Sequence, residues 1–413
     1  MPTETEPQPL ARPMPAAWEP APWVPGLDQG QPLRIAMLLS GLGRVRRGAE
    51  AAFLELARVW VNRPGVTLSL FGSGTEGAPA ESVNHVLKIR PRESFERWPH
   101  LPAFRTEAYY EEFSFVRQLR HSRLYDPAAH DIAVHCTYPW VNWYLRQGSR
   151  KTRAGAKLVY VTQNGDWPCY SRSREFRYFR TDGLVCTNPE YFERNRQAHR
   201  SVLIPNGVDP ARFLPAEPGT ARFIPEVDAG DGPRPAPGQP VVLIASAQEP
   251  NKQVPAAMEI LGQVPGVFVV VAGEGSERQA VADTAARHLA GRHRLLGSVL
   301  RHRMPNLFRR ADLFFHMCPT EPSALVYLEA ASSGLPLVVH DSAVTRWTLG
   351  NAALYSDTAN LSQTAATIEQ ALEPECRATL GAAARQRVLQ GWSWEVLAGQ
   401  YEQFFRALMA TRA

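Results

Sequence analysis

Residues 33–43 are LRIAMLLSGLG, a mostly apolar run, with Arg34 and Ser40 as its polar members, that leads into two glycines. A run of this kind is typical of a strand buried on both faces of a parallel sheet. An amphipathic helix is predicted after it, from Ala49 to about Val61, and a second strand follows at Val66–Phe71. Strand, loop and helix then alternate, and VVLIA at 241–245 opens a second series of the same kind. The pattern predicts two Rossmann-like, doubly wound α/β domains.

The predicted boundaries follow from changes in composition. Residues 1–30 are rich in proline and are expected to be a disordered tail. We expect a first α/β domain over 31–204, a hinge or linker with a surface loop over 205–240, and a second α/β domain over 241–392. Residues 393–413 are expected to form a terminal amphipathic helix, with Ser393 as its cap.

The alternation of apolar segments with glycine, proline and polar residues predicts where the individual strands and helices lie. The predicted strands are 33–40, 66–71, 132–135, 157–162, 183–187, 241–245, 267–272, 295–296, 313–316 and 337–340. The predicted helices are 49–61, 254–263, 277–290, 303–310, 322–333, 361–372 and 393–410. In such sheets a ligand is expected at the carboxyl ends of the strands, in the crevice between the domains.

The charge is unevenly distributed. Residues 31–200 contain 26 lysines and arginines against 16 acidic residues, whereas residues 201–413 contain 18 against 20. Basic residues cluster around 44–47, 117–123, 146–153 and 172–180. These clusters are either solvated helix faces or a surface for an anionic acceptor or a phospholipid layer. No nucleic-acid-binding module is recognisable, so nucleic acid is not an expected partner.

The five cysteines are scattered and odd in number, which indicates reduced thiols in a cytoplasmic protein rather than a disulfide framework. No stretch approaches the roughly 20 apolar residues that a membrane span needs. There is no D-x-D, paired-histidine or P-loop motif, so we expect neither a bound metal ion nor a resident cofactor.

Residues 321–336, EPSALVYLEAASSGLP, carry the most informative polar pair. As a helix beginning near Pro322, eight residues would separate Glu321 from Glu329 by roughly 12 Å. Two carboxylates so far apart cannot act as a close acid–base pair, but they could flank an elongated ligand such as a nucleotide diphosphate sugar. The free N–H groups of Ser323, Ala324 and Leu325 would then face its anionic centre. The alternative is a buried helix with two solvated glutamates.

Two further features belong to loops that follow strands. Gly41 and Gly43 lack the third glycine and the acidic residue of a dinucleotide-binding motif, so they form either a loop that approaches a ligand phosphate or a plain tight turn. Lys252 follows the first strand of the second domain and could hold a diphosphate as a point charge, or it is a solvated loop lysine.

Several segments together resemble the retaining, nucleotide-sugar-dependent glycosyltransferases of the GT-B fold, family four. The resemblance covers about residues 31–410. It is carried by GAE at 48–50, VLIPNGVDPARF at 202–213, EPNK at 249–252, VVVAGEG at 269–275, LGSV at 296–299, RADLFF at 310–315 and the block at 321–341.

The resemblance implies a role for each matching position. The second domain would hold the donor and the first domain the acceptor. Glu321 would contact the donor sugar and Glu329 the ribose, while Lys252 would contact the diphosphate and Val299 the base. The N–H groups after Glu321 and the loop at Gly43 would also contact phosphate. The terminal helix would return to the first domain.

Three positions depart from the family pattern. Ser246 stands where an arginine is common, and Pro322 where a glycine is common. A histidine is often present in the loop that here is QNGDW (163–167). Gln163 or Asn164 could donate a hydrogen bond to a sugar hydroxyl there, but neither can carry a proton. His135 ends the preceding predicted strand. It either partly substitutes for that histidine or, as we expect, is a core or capping histidine.

The leading hypothesis is therefore a cytoplasmic glycosyltransferase, peripheral to a membrane if its basic face binds one. It would move a hexose-type sugar from a nucleotide diphosphate to a glycan, lipid-linked or other anionic acceptor, with retention and without a metal. Two alternatives stay open. One is a non-catalytic partner subunit with the same fold, which the departures from the family pattern favour. The other is a nucleotide-sugar epimerase.

Overall fold

The computed structural model describes residues 32–45, 47–102, 104–137, 139–149, 155–171, 179–217, 223–229, 232–323 and 325–410. The predicted tail and parts of three of the four basic clusters, those around 44–47, 146–153 and 172–180, lie outside these ranges.

The first domain is built on a parallel sheet of seven strands in the order β3-β2-β1-β4-β5-β6-β7. Ile35 of β1 lies beside Leu68 on one side and Ile132 on the other, so the opening apolar run is an interior strand of the sheet. Helices cover both faces of the sheet. The strands are β1 (Leu33–Leu38), β2 (Val66–Gly72), β3 (Val83–Val86), β4 (Ile132–His135), β5 (Lys157–Val161), β6 (Gly183–Cys186) and β7 (Ser201–Leu203). The helices are α1 (Gly48–Trp60), α2 (Glu107–Ser122), α3 (Pro139–Ser149), α4 (Trp167–Tyr170) and α5 (Pro189–Asn195).

The second domain has a parallel sheet of six strands in the order β10-β9-β8-β11-β12-β13. Its central strands are almost wholly apolar and buried, as expected for a sheet covered on both faces. The strands are β8 (Val241–Ala245), β9 (Phe268–Ala272), β10 (His293–Gly297), β11 (Leu313–His316), β12 (Leu337–His340) and β13 (Leu354–Ser356). The helices are α6 (Pro225–Asp228), α7 (Val254–Gln263), α8 (Arg278–His288), α9 (Met304–Arg310), α10 (Leu325–Ser332), α11 (Ala343–Leu349), α12 (Leu361–Leu372) and α13 (Pro374–Leu389).

Each sheet reverses its strand order once, between β1 and β4 in the first domain and between β8 and β11 in the second. The crevice outside the carboxyl ends at such a reversal is where open α/β sheets bind ligands. The prediction of two doubly wound α/β domains is confirmed. The glycine loop after β1 and the Lys252 loop after β8 both begin at these reversal points.

The terminal helix, α14 (Trp394–Ala410), packs back onto the first domain as expected. The Trp60 ring of α1 meets Tyr401 edge-on, with centroids 5.7 Å apart, and Phe405 at the same distance. These aromatic residues join the buried core between α1 and the first sheet. The helix therefore ties the end of the chain to the domain in which the chain begins.

Part of the segment predicted as a linker belongs to a core. Phe213, Ile224 and Val227 are buried among the strands and helices of the second domain. Their apolar side chains are isolated among prolines, glycines and acidic residues, so no helical or strand period revealed them. No helix of the described residues is both long and apolar enough to cross a membrane.

Candidate active site

A cavity of about 580 Å³ lies between the two domains, at the reversal points of both sheets. This volume is within the range of small-molecule binding sites. Eight of the predicted site residues line it. They are Gly43, Gln163, Lys252, Val299, Glu321, Ser323, Leu325 and Glu329. Gly41 and Asn164 are not among the lining residues, and Ala324 lies outside the described part of the chain.

The segment with the two glutamates is a loop followed by a helix, and the predicted helix over 322–333 starts too early. Helix α10 begins at Leu325, so Glu321 precedes it and the separation of roughly 12 Å along a helix does not apply. The loop is instead held by the first domain, because Asn188 Nδ2 donates to the Pro322 carbonyl at 3.1 Å. Of the three predicted N–H groups, that of Leu325 belongs to the helix, while Ser323 lies in the loop.

Glu321 and Lys252 form an ion pair across this loop. Lys252 Nζ lies 2.5 Å from Glu321 Oε2, and both side chains are mostly buried. Burial alone lowers the pKa of Lys252, but the Glu321 carboxylate outweighs it, so the pKa stands above its ordinary value. Lys252 is therefore a permanent cation in the cavity at neutral pH.

His316 completes this corner of the site and was not singled out from the sequence. It ends β11, lines the cavity and contacts the Tyr327 hydroxyl through Nδ1 at 2.9 Å. Burial and the Lys252 charge lower its pKa to about 3, so the ring is neutral. The sequence feature that could have identified His316 is its position, since it is a polar residue at the carboxyl end of a predicted parallel strand.

Glu329 is buried on α10, with 1% of its surface exposed, and forms a close ion pair with Arg301. No described residue donates a hydrogen bond to its Oε2 atom. Burial raises the pKa of Glu329, and Arg301 opposes this shift. Arg301 also lines the cavity, and its Nε lies 3.8 Å from Glu55 of α1. Sequence reasoning missed Arg301, although it lies two positions beyond the predicted base contact Val299.

The two amides predicted in the loop after β5 point in different directions. Gln163 faces the cavity and exchanges two hydrogen bonds with Asn206, at 2.5 and 3.1 Å. Asn206 Nδ2 also donates to Ser323 Oγ at 3.0 Å, which connects Gln163 to the loop of the second domain. Asn164 Nδ2 instead donates to the Cys136 carbonyl at 3.0 Å, away from the cavity.

His135 is a core histidine, as expected. Its ring is fully buried, and Nε2 lies 2.8 Å from Asn142 Oδ1.

The glycine loop after β1 approaches other backbone closely. Gly43 has φ of +72°, and a Cβ atom there would lie 2.3 Å from the Gly74 carbonyl oxygen. A Cβ atom on Gly41 would instead lie 2.2 Å from Glu50 Oε1. Gly43 thus belongs to the cavity wall, while Gly41 is required for packing against Glu50.

Among the described residues, no group of three or more His, Cys, Asp or Glu side chains is placed to hold a metal ion. The cations that line the cavity are arginines and Lys252.

Comparison with known proteins identifies the family of the second domain. Residues 232–387 match the family model of glycosyl transferases group 1. The second domain is a glycosyltransferase group 1 domain. The two-sheet architecture is that of the GT-B glycosyltransferases.

Among curated relatives, glycogen synthase of Mycobacterium tuberculosis is 31% identical over 217 residues, which cover 50% of this chain and 48% of that protein. The chain thus spans about half the length of this relative. A GDP-mannose-dependent alpha-(1-6)-phosphatidylinositol monomannoside mannosyltransferase of the same organism is 27% identical over 292 residues, covering 64% of this chain and 73% of the relative. Sucrose-phosphate synthase from Thermosynechococcus elongatus superposes with a TM-score of 0.70 at 17% identity, over 92% of this chain and 99% of that one.

Proposed function

We propose that this protein is a retaining glycosyltransferase that takes a sugar from a nucleotide diphosphate donor. The observation that carries the proposal is the interdomain cavity of about 580 Å³, whose second-domain wall holds Lys252, Glu321 and Glu329. The group 1 domain and the name of the GDP-mannose-dependent relative support a nucleotide-sugar donor.

The donor is proposed to lie along the second domain. Glu329 has a buried carboxylate oxygen without a hydrogen-bond donor among the described residues, which suits a ribose hydroxyl. Val299 would contact the base, and the N–H of Leu325 would contact a phosphate at the start of α10. Lys252 is close enough to Glu321 that the diphosphate and the sugar would occupy adjacent positions.

Donor binding would exchange the partners of the Lys252–Glu321 pair. Lys252 would turn its charge to the diphosphate, and Glu321 would accept hydrogen bonds from hydroxyls of the transferred sugar. Lys252 would then exchange a carboxylate for an anionic phosphate, and Glu321 would exchange an ammonium group for hydroxyl donors, so neither is left buried without a partner.

The chemistry needs no enzymatic nucleophile in this arrangement. The bond between the anomeric carbon and the diphosphate oxygen breaks, and the acceptor oxygen bonds to the same face of the sugar. The departing diphosphate takes the proton of the acceptor hydroxyl. Lys252 stabilises the negative charge that develops on the leaving oxygen. Gln163, held by Asn206, is placed to position a sugar hydroxyl but not to transfer a proton. We do not assign a role at the sugar to Asn164, because its amide is bonded to the Cys136 carbonyl.

The acceptor is proposed to bind the first domain. That domain carries the positive charge of the chain, which favours an anionic, glycan or lipid-linked acceptor and contact with the surface of a membrane. No metal ion is required in this scheme, since fixed cations line the cavity.

A panel of UDP-, GDP- and ADP-sugars tests the proposal. Purified protein should release nucleoside diphosphate from one of them, faster with acceptor than without, and a chelator should leave the rate unchanged. The product should keep the anomeric configuration of the donor by NMR. Release of an isomerised nucleotide sugar without any acceptor would favour the epimerase instead. No turnover and no thermal shift with any donor would contradict the proposal.

A further inference from the structure

The loop that carries Glu321 takes backbone hydrogen-bond partners from the first domain. The carbonyls of Pro322 and Ser323 lie just before α10. Asn188, which follows β6, donates from Nδ2 to the Pro322 carbonyl at 3.1 Å. Asn206, which follows β7, donates from Nδ2 to the Ser323 carbonyl, also at 3.1 Å. The first domain therefore fixes the path of a loop that belongs to the second domain.

Both asparagine side chains are buried and are oriented by partners within the first domain. Asn188 is 1% exposed, and its Oδ1 accepts from the Tyr191 N–H at 2.9 Å as the cap of α5. Asn206 is 3% exposed, and its Oδ1 accepts from Gln163 Nε2 at 2.5 Å. Because a carbonyl oxygen can only accept, the NH2 group of each asparagine must face the loop before α10.

The two loops that carry Gln163 and Asn188 are also joined to each other. Thr162 and Thr187 immediately precede these residues, and both threonines are 1% exposed. The Thr187 N–H donates to Thr162 Oγ1 at 2.9 Å, and the two hydroxyl oxygens lie 3.1 Å apart. The loops after β5 and β6 therefore form one buried, hydrogen-bonded unit, to which Gln163 connects Asn206.

The first residue of α10 is held by the same domain. Leu325 is 8% exposed and belongs to the core cluster of the first domain, together with Ile204. Earlier in the loop, the Pro322 ring fixes φ, and the bond from Asn188 holds the carbonyl that a change in ψ would move. Glu321 directly precedes Pro322, so these contacts place its backbone.

We propose that Asn188 and Asn206 are positioning residues for sugar transfer, which hold the Glu321 carboxylate where it meets the donor sugar. A displacement of about 1 Å would remove much of its effect, because transfer depends on the alignment of the reacting groups. Asn206 also holds Gln163, so one side chain of the first domain aligns groups on both sides of the cavity. This inference rests on the proposed function, because it assumes that Glu321 contacts the sugar.

Two substitutions remove the bonds to the loop and keep the bonds within the first domain. Asn188→Ser retains a good helix cap, but its shorter side chain does not reach the Pro322 carbonyl. Asn206→Asp retains the oxygen that accepts from Gln163 and lacks the N–H that donates to Ser323. Each should lower kcat roughly tenfold, the effect of leaving one carbonyl without its donor, with donor Kd changed far less.

Asn360→Ser is the matched control. Asn360 caps α12 by accepting from the Gln363 N–H at 3.1 Å, and its side chain is exposed. The same change from asparagine to serine keeps a cap there, so kcat and donor Kd should equal those of the wild type.

Combination with Glu321→Ala separates positioning from a general loss of structure. If the asparagines act through Glu321, either substitution should slow the Glu321→Ala variant by less than about twofold, because the group that they position is already absent. Single-turnover transfer of a radiolabelled donor sugar measures these slow rates.

Equal fold losses of rate in the wild-type and Glu321→Ala backgrounds would overturn the inference, because the asparagines would then act on something other than Glu321. Unchanged kcat in both single variants would also overturn it. A wild type that neither binds nor transfers any nucleotide sugar would overturn the proposed function as well.

Discussion

Glu321 and Glu329 differ in their partners, and this difference predicts different roles. Glu321 lies in a loop beside Lys252, where the sugar and diphosphate are proposed to meet. Glu329 lies on α10, is fully buried and faces Arg301. We therefore propose that Glu321 contacts the reacting end of the donor and Glu329 its nucleoside end.

Substitution of each glutamate should separate transfer from binding. Glu321→Ala should lower kcat by roughly a hundredfold or more, as expected when an interaction at the reacting group is lost, with donor Kd changed far less. Glu329→Ala should raise donor Kd by roughly tenfold, since a charged hydrogen-bond acceptor for the ribose is removed. Steady-state kinetics and titration calorimetry measure the two effects. Small and equal effects from both variants would refute these assignments.

At the scale of elements, α2 places two acids beneath the glycine loop, and Glu112 gives the fold a measurable pH dependence. Its pKa is about 8 in the folded protein, above the ordinary 4.5, because burial disfavours the charged form. The stability that Glu112 contributes is thus complete below pH 4.5 and is lost as the pH rises to about 8.

Glu112→Gln should remove this dependence, because the amide cannot ionise. Relative to the wild type, the variant should gain about 1.4 kcal/mol in free energy of unfolding per pH unit between pH 5 and 8. Urea denaturation at several pH values measures the free energy of unfolding of both proteins. The contributions of the other titrating groups are the same in both and cancel in the difference. Parallel stability–pH curves for the two proteins would show that Glu112 does not titrate in this range.

Elements were predictable where apolar periods are strong, as in β1, β8 and α12. Helix α2 was missed because its charged and aromatic residues mask the period, and Glu111 and Glu112 are buried against expectation. The early start predicted for α10 had a tertiary cause, since Asn188 and Asn206 hold residues 322–323 in a loop. Such contacts join residues over a hundred positions apart and leave no local pattern in the sequence.

The site residues, like the elements, were predictable where a local sequence motif marks them and were missed where distant contacts decide their role. Glu321, Glu329, Lys252 and Gly43 were singled out from their own motifs, and all line the cavity. Arg301 and Asn206 were missed, because each matters through its partner in space rather than through its neighbours in sequence.

At the scale of the molecule, the basic first domain predicts an electrostatic attraction to anionic membranes. Arg117 and Arg120 are exposed on α2 and belong to the basic cluster at 117–123. Each basic residue near an anionic surface contributes about 1 kcal/mol, and salt screens the attraction.

Cosedimentation should therefore show binding to vesicles with phosphatidylserine but not to neutral vesicles, with loss at roughly 0.5 M salt. Arg117→Gln/Arg120→Gln should weaken vesicle binding, and Arg301→Gln, within the cavity, is the control that should not. If the protein binds no vesicles and its activity does not depend on salt, the basic charge of the first domain does not serve a membrane-bound or anionic acceptor.

The most direct test of the proposed donor site is a crystal structure with a bound nucleotide sugar. We predict one donor in the cavity between the domains, with its ribose at Glu329, its diphosphate at Lys252 and its sugar at Glu321. A donor bound elsewhere, or one bound in the cavity with its nucleoside at Glu321, would contradict it.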